Sequence, residues 1–199
     1  MSPEFRSHLV EVPHRLIEAF KGLKVRPILV GGKAIQVWTG LTEGLFQTYD
    51  LDFITSLRVE DFTKLGLGLE ASGRHVMVDG IPVEFPSGPL AVGDLQLDPE
   101  LDTRDVETLA GDTIRCLRPE ACVLDRLAQV AAWQVAEAYV QAAGVAAAQT
   151  EQPEWDGTWI DQAAKRAGLF RIWTLLKGEL EHDRPSEAAM DEALTIGWD

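Results

Sequence analysis

The chain has 199 residues, 46% of them apolar, and a formal net charge of −14. That length suits one compact domain or a domain with a modest extension, and that apolar share builds a core, which excludes wholesale disorder. The acidic balance opposes a broad nucleic-acid surface, no apolar run reaches the ~20 residues that cross a bilayer, and residues 1–20 mix charges as no secretory leader does, so a cytoplasmic protein without a membrane partner is expected.

Residues 1–33 carry six bases against three acids, which leaves room for a local basic patch. Within them Leu9, Val12, Leu16, Ile17 and Phe20 fall near helical spacing, and Pro13 divides or restarts that helix. Pro27 to Val30 reads as a short buried strand ending at Gly31-Gly32, and Lys33 to Trp38 carries helix formers. The local reading is strand, tight glycine turn, helix. Tyr49 to Thr55 alternates strictly: Leu51, Phe53 and Thr55 share one face, while Asp50, Asp52 and Ile54 share the other. Val59 to Leu69 suggests a short amphipathic helix. Arg74 to Val78 and Ile81 to Phe85 flank Asp79-Gly80, a strong two-residue hairpin signal. A second hairpin pairs Val106 to Leu109 with Thr113 to Leu117, turning at Ala110-Gly111-Asp112. Cys116 and Cys122 lie among apolar neighbours without a Cys or His at metal-ligand spacing, so they read as buried free thiols. Pro119-Glu120 suits a helix start, and the Ala-rich stretch that follows runs to about Gln149 nearly free of breakers. Helical patterns resume after a loop at 153–157. From Glu179 onward seven acids face one arginine, a solvated face or a partner-docking segment. The expected organisation is an α+β core over residues 1–118 and a helical C-terminal region over residues 119–199.

Chemistry concentrates at two places. Asp50 and Asp52, two apart on a strand, leave the same face with Cα atoms roughly 6–7 Å apart. Two bare carboxylates at about 6 Å repel by roughly 2–3 kcal/mol at an effective dielectric of 20, a cost that solvent screens or a cation removes. A hard divalent cation fits such oxygen donors, and Mg²⁺ typically takes one or two carboxylates together with substrate phosphates. Glu84, on the second strand of the Asp79-Gly80 hairpin, either faces water or completes a three-carboxylate cup, depending on whether its strand neighbours the Asp50-Asp52 strand. Such a cup can hold two ions. Gly31-Gly32 is either a mere tight turn or a place where backbone N–H groups approach a phosphate at a helix N-terminus, with Lys33 adding a positive charge.

These residues resemble a known family. Ile28-Leu29-Val30-Gly31-Gly32-Lys33-Ala34-Ile35, followed by Thr48-Tyr49-Asp50-Leu51-Asp52-Phe53-Ile54, is similar to the signature of the nucleotidyltransferase superfamily built on the DNA polymerase beta fold. The 17 residues between Gly32 and Asp50, and Thr48 two residues before the first Asp, resemble the branch containing abortive-infection nucleotidyltransferase toxins. Leu117-Arg118-Pro119-Glu120, with Leu124-Asp125-Arg126-Leu127-Ala128 after it, resembles that branch's helix start and its downstream basic residue, so Arg126 takes the place of a cation that reaches the nucleotide phosphates. The likeness covers about residues 25–130. It departs at Gln47, where the branch carries Arg, and at Ala121, where an acid is expected.

The resemblance implies a nucleotidyltransferase-like mixed β-sheet with flanking helices, and transfer of a nucleoside monophosphate from an NTP to an acceptor. It implies that Asp50 and Asp52 bind Mg²⁺ or Mn²⁺, and that Glu84 binds metal or acts as base. Gly31, Gly32, Lys33, Thr48 and Arg126 would serve the nucleotide. The acceptor stays open among a small molecule, an RNA and a protein, with the acidic balance weighing against tRNA. For Arg126 the alternative is a salt bridge to Asp125, to Glu120 or to an acid on the sheet. The competing reading of the whole chain, carried by Gln47 and Ala121, is a catalytically decayed scaffold that binds nucleotide or a partner such as an antitoxin.

Overall fold

The computed structural model describes residues 8–56, 61, 75–86, 88–180 and 185–198. Helix α1 (His14–Gly22) starts directly after Pro13 and buries Leu16, Ile17, Ala19 and Phe20, so the proline begins the helix and does not divide one; Leu9 and Val12, expected on its face, lie before it, where Val10 bridges to Thr108. Strand β1 (Ile28–Val30) passes without a loop into α2 (Gly31–Thr39). Here the structure differs from the expected turn: both glycines already belong to the helix. Val30 is extended, and Gly31 at φ 65° swings the chain into the helix within one residue, a conformation that side chains disfavour. A single 3₁₀ turn at Gly44–Phe46 leads on to β2 (Leu51–Ile54). The helix expected over Val59 to Leu69 lies outside the described residues, apart from Asp61.

The hairpin of β3 (His75–Val78) and β4 (Ile81–Glu84) turns at Asp79-Gly80, both at positive φ (53° and 84°), as the primed turns of tight hairpins require. A small ribbon of β5 (Ala91–Val92) and β6 (Leu95–Gln96), absent from the sequence reading, precedes a second hairpin of β7 (Thr103–Glu107) and β8 (Thr113–Leu117). The latter's first strand begins at Thr103, earlier than expected, and its partner strand matches.

These strands form a six-stranded mixed sheet in the order β3-β4-β2-β1-β8-β7. The central pairs are β1 with β2 antiparallel, and β2 with β4 and β1 with β8 parallel. Two registers place the site: Val30 lies opposite Asp52, and Asp52 lies opposite Glu84. Leu51 and Phe53 are buried, and Phe20 of α1 meets the Phe53 ring edge-on with centroids 5.2 Å apart. Helix α1 therefore covers that face, and Asp52 leaves the opposite one.

The C-terminal part is helical: α3 (Pro119–Trp133), α4 (Ala136–Gln149), α5 (Gly157–Arg166), α6 (Phe170–Glu179) and α7 (Glu187–Thr195). The breaker-free stretch from Pro119 to Gln149 is two helices and not one. Gln134 takes a left-handed conformation (φ 55°) and Val135 is extended, so the chain folds back and α4 packs along α3. Ala138, Ala142, Ala143 and Ala146 of α4 are buried, and such small side chains let helices approach closely.

Two buried ties hold this part to the sheet. Trp38 Nε1 donates to the Leu117 carbonyl at 2.8 Å, while Gln149 Nε2 donates to the Trp38 carbonyl at 2.6 Å. Arg118 meets Glu120 through two hydrogen bonds, of 2.9 and 3.0 Å, and stacks over the Trp159 ring. Glu120 in turn accepts from the Asp156 backbone N–H at 2.6 Å, next to the start of α5. Buried residues on both sides of Arg118 belong to one apolar cluster. Cys116 and Cys122 are buried free thiols. Burial raises both thiol pKa values. Among the described residues no helix is long and apolar enough to cross a membrane.

Candidate active site

Asp52 sits on β2 between two strands, with β1 on one side and β4 on the other. Because β2 and β4 run parallel in the register Asp52–Glu84, the Glu84 carboxylate leaves the same face beside it. Asp50 stands one residue before β2 and follows the same alternation. The three half-buried side chains bring one carboxylate oxygen each to within 4.8 Å of one another. Glu84 thus completes the cup and does not simply face water. The strand pairing decides this, and the sequence alone left it open.

The glycine pair closes the cup from the side of β1. A Cβ built on Gly31 would lie 2.2 Å from Asp52 Oδ2, and one on Gly32 would lie 2.9 Å from Thr48 Cβ. A side chain at the first position would displace the Asp52 carboxylate and strain a positive φ, and one at the second fits only if Thr48 shifts. The glycines therefore let a helix N-terminus reach the carboxylates, where it adds a positive end to a negative cluster. Thr48 Oγ1 donates to Asp50 Oδ1 and fixes that carboxylate outside the strand ladder.

Lys33 lies in a neighbouring cleft of about 210 Å³, lined also by Glu11, Thr48, Tyr49 and Pro82. Pro82 is two residues before Glu84 on β4 and so shares its face, which makes the cleft a continuation of the cup. Lys33 takes part in no ion pair among the described residues.

Arg126, on the second turn of α3, is almost buried. Its Nε and one terminal nitrogen donate to Asp125 Oδ2 at 3.0 and 2.6 Å, and the other terminal nitrogen donates to Gln141 Oε1 at 3.2 Å. Of the salt-bridge partners considered, Asp125 is the one observed; Glu120 belongs to Arg118. Sequence reasoning missed Gln141 as the second holder of Arg126. Its proximity follows from the reversal at Gln134, which no glycine or proline announces.

The electrostatics converge on Asp52, whose pKa is pushed up to about 6. Burial is the main cause, and the charges of Asp50 and Glu84 add to it, while the Arg126 guanidinium opposes the rise. The cup thus disfavours its own negative charge and is relieved by a proton or a cation. Its donor set is wholly carboxylate oxygen, which suits Mg²⁺ or Mn²⁺ and not a thiophilic metal.

A scan against protein-family models and a search of curated proteins find no match. Among solved structures the chain matches the solution structure of the antibiotic-resistance factor ANT(2'')-Ia, at 16% identity, over 85% of this chain and 92% of that one, with a TM-score of 0.41. A likeness this loose leaves the chemistry of the site to the residues of the chain itself.

Proposed function

We propose that the chain is a metal-dependent nucleotidyltransferase that moves a nucleoside monophosphate from an NTP to an acceptor. The observation that carries this reading is the three-carboxylate cup of Asp50, Asp52 and Glu84, set against a helix N-terminus that glycine alone can bring so close. Asp50 and Asp52 would hold Mg²⁺ or Mn²⁺, with Glu84 either a third ligand or the base that takes the acceptor proton. The bound ion would supply charge neutralisation at the phosphates. Gly31 and Gly32 offer backbone N–H groups to the phosphates, and Lys33 and Arg126 add positive charge on either side. Thr48 keeps Asp50 turned into the cup. The sequence resemblance to the toxin branch extends the proposal to an antitoxin partner and a cytoplasmic setting.

The test is to incubate the protein with each labelled NTP, Mg²⁺ or Mn²⁺ and a cell extract, and to look for transferred label. Asp52→Asn should abolish it. Thermal denaturation with millimolar Mg-NTP gives the matching binding readout, since a ligand selective for the native state raises the melting temperature.

A second reading, a nucleotide-binding scaffold without activity, is favoured by Gln47. The side chain at the position where the branch carries Arg bonds to the Tyr49 hydroxyl and not to the cup. A thermal shift without transferred label would select this reading, and neither shift nor label would sink both.

A further inference from the structure

The guanidinium of Arg126 is committed on one side and open on another. Its charge opposes the rise of the Asp52 pKa, so it lies close to the cup. Of the five N–H groups of an arginine, one on Nε and one on a terminal nitrogen donate to Asp125, and one on the other terminal nitrogen donates to Gln141. One N–H on each terminal nitrogen remains, and a guanidinium can grip a phosphate with two such groups. Arg126 can therefore meet a phosphate without giving up its mount.

The two holders differ in charge. Asp125 is anionic, and its own field adds to the rise at Asp52. A second carboxylate on Arg126 would cancel what is left of its positive charge. Gln141, from the facing helix α4, supplies an amide oxygen, which fixes the guanidinium and leaves that charge in place. The orientation of the amide is also decided. Gln141 Nε2 donates to the Leu45 carbonyl at 2.5 Å. A carbonyl only accepts, so the amide turns its N–H end to Leu45 and its oxygen to Arg126. Leu45 belongs to the 3₁₀ turn Gly44–Phe46, and the next carbonyl of that turn, of Phe46, accepts from Gln36 Nε2 of α2 at 2.8 Å. The turn is held from two helices and gives Gln141 a fixed reference.

We propose that Gln141 is a positioning residue of the nucleotide site: braced on the Leu45 carbonyl, it holds Arg126 toward the triphosphate with a neutral acceptor. This role rests on the nucleotidyl-transfer reading and names the side chain through which one of its phosphate contacts is set.

The test is calorimetric titration of the full chain with Mg-ATP, Mg-GTP, Mg-CTP and Mg-UTP, the tightest of which is carried through the variants. Gln141→Leu, at a partly exposed helix position, should weaken its binding about fivefold. Gln141→Glu keeps an acceptor for Arg126 but adds the second carboxylate, and should weaken it about tenfold. In an Arg126→Ala background, itself weakened, Gln141→Leu should change nothing further, because its effect runs through Arg126. A merely structural Gln141 would lower affinity with or without Arg126. The proposal is overturned if Gln141→Leu or Gln141→Glu binds the nucleotide as the parent chain does, or if Gln141→Leu costs as much in the Arg126→Ala background. Failure of the parent chain to bind any of the Mg-NTPs at millimolar concentration would instead sink the nucleotidyl-transfer reading, and this role with it.

Discussion

At the scale of single residues, Asp52 and Gly31 carry the most chemistry and respond in opposite ways to substitution. The folded state holds the Asp52 pKa at about 6, above its ordinary value of 3.8. Its contribution to stability is therefore full below the unfolded pKa and is lost as pH rises through about 6. With chelator present, Asp52→Asn should stabilise the protein at pH 8 by about 2–3 kcal/mol and change little at pH 4, measured by urea unfolding at both pH values. Mg²⁺ competes with the same proton, so its affinity should weaken as pH falls below about 6. A variant that is stabler and metal-blind would mark Asp52 as a residue kept for binding at the expense of stability. Gly31→Ala meets two obstacles, a φ of 65° and a Cβ 2.2 Å from Asp52 Oδ2. It should lower stability by about 1–3 kcal/mol and remove the Mg-NTP thermal shift. An unchanged melting curve and an unchanged shift would show that the helix start yields freely.

At the scale of elements, local chemistry made some features legible and tertiary packing hid others. Asp79-Gly80 announces its hairpin because only residues tolerant of positive φ make that turn, and the alternation from Leu51 to Ile54 announces which face carries the carboxylates. The strand order is not written locally. That β4 lies beside β2, which brings Glu84 to Asp52, is a parallel pairing between residues 32 positions apart. The break at Gln134 was invisible for a related reason: a glutamine adopts a left-handed conformation there because α3 and α4 pack face to face, and not because its own preference is for it. That strain is removable. Gln134 is exposed, so Gln134→Gly should stabilise the protein by about 0.5–1 kcal/mol, seen as a raised melting temperature. A lowered one would mean that the Gln134 side chain holds the reversal together.

At the scale of the whole molecule, the helical part is anchored to the sheet by a buried charge pair. Arg118 and Glu120 are 4% and 0% exposed, and the pair also holds the backbone before α5 through Asp156 and the Trp159 ring. Arg118→Ala leaves both Glu120 and the buried Asp102, which lies 3.7 Å from Arg118, without their cation and should cost about 3–5 kcal/mol in urea unfolding, while Arg118→Met/Glu120→Gln/Asp102→Asn should cost less. Equal losses would mean that stacking on Trp159, and not charge, does the anchoring. The same view of the molecule separates the three carboxylates by how they are mounted. Asp52 and Glu84 stand within the ladder of the sheet, whereas Asp50 stands one residue before it, at the end of a connection stayed by Gln36 Nε2 on the Phe46 carbonyl and by Gln141 on the Leu45 carbonyl. A cation at the cup would take two ligands from the sheet and the third from this tethered segment, where Thr48 holds Asp50 in the cup. Ordering on loading therefore falls on residues 40–50, and slowed amide exchange there, with β2 and β4 unchanged, is the signature of an occupied cup.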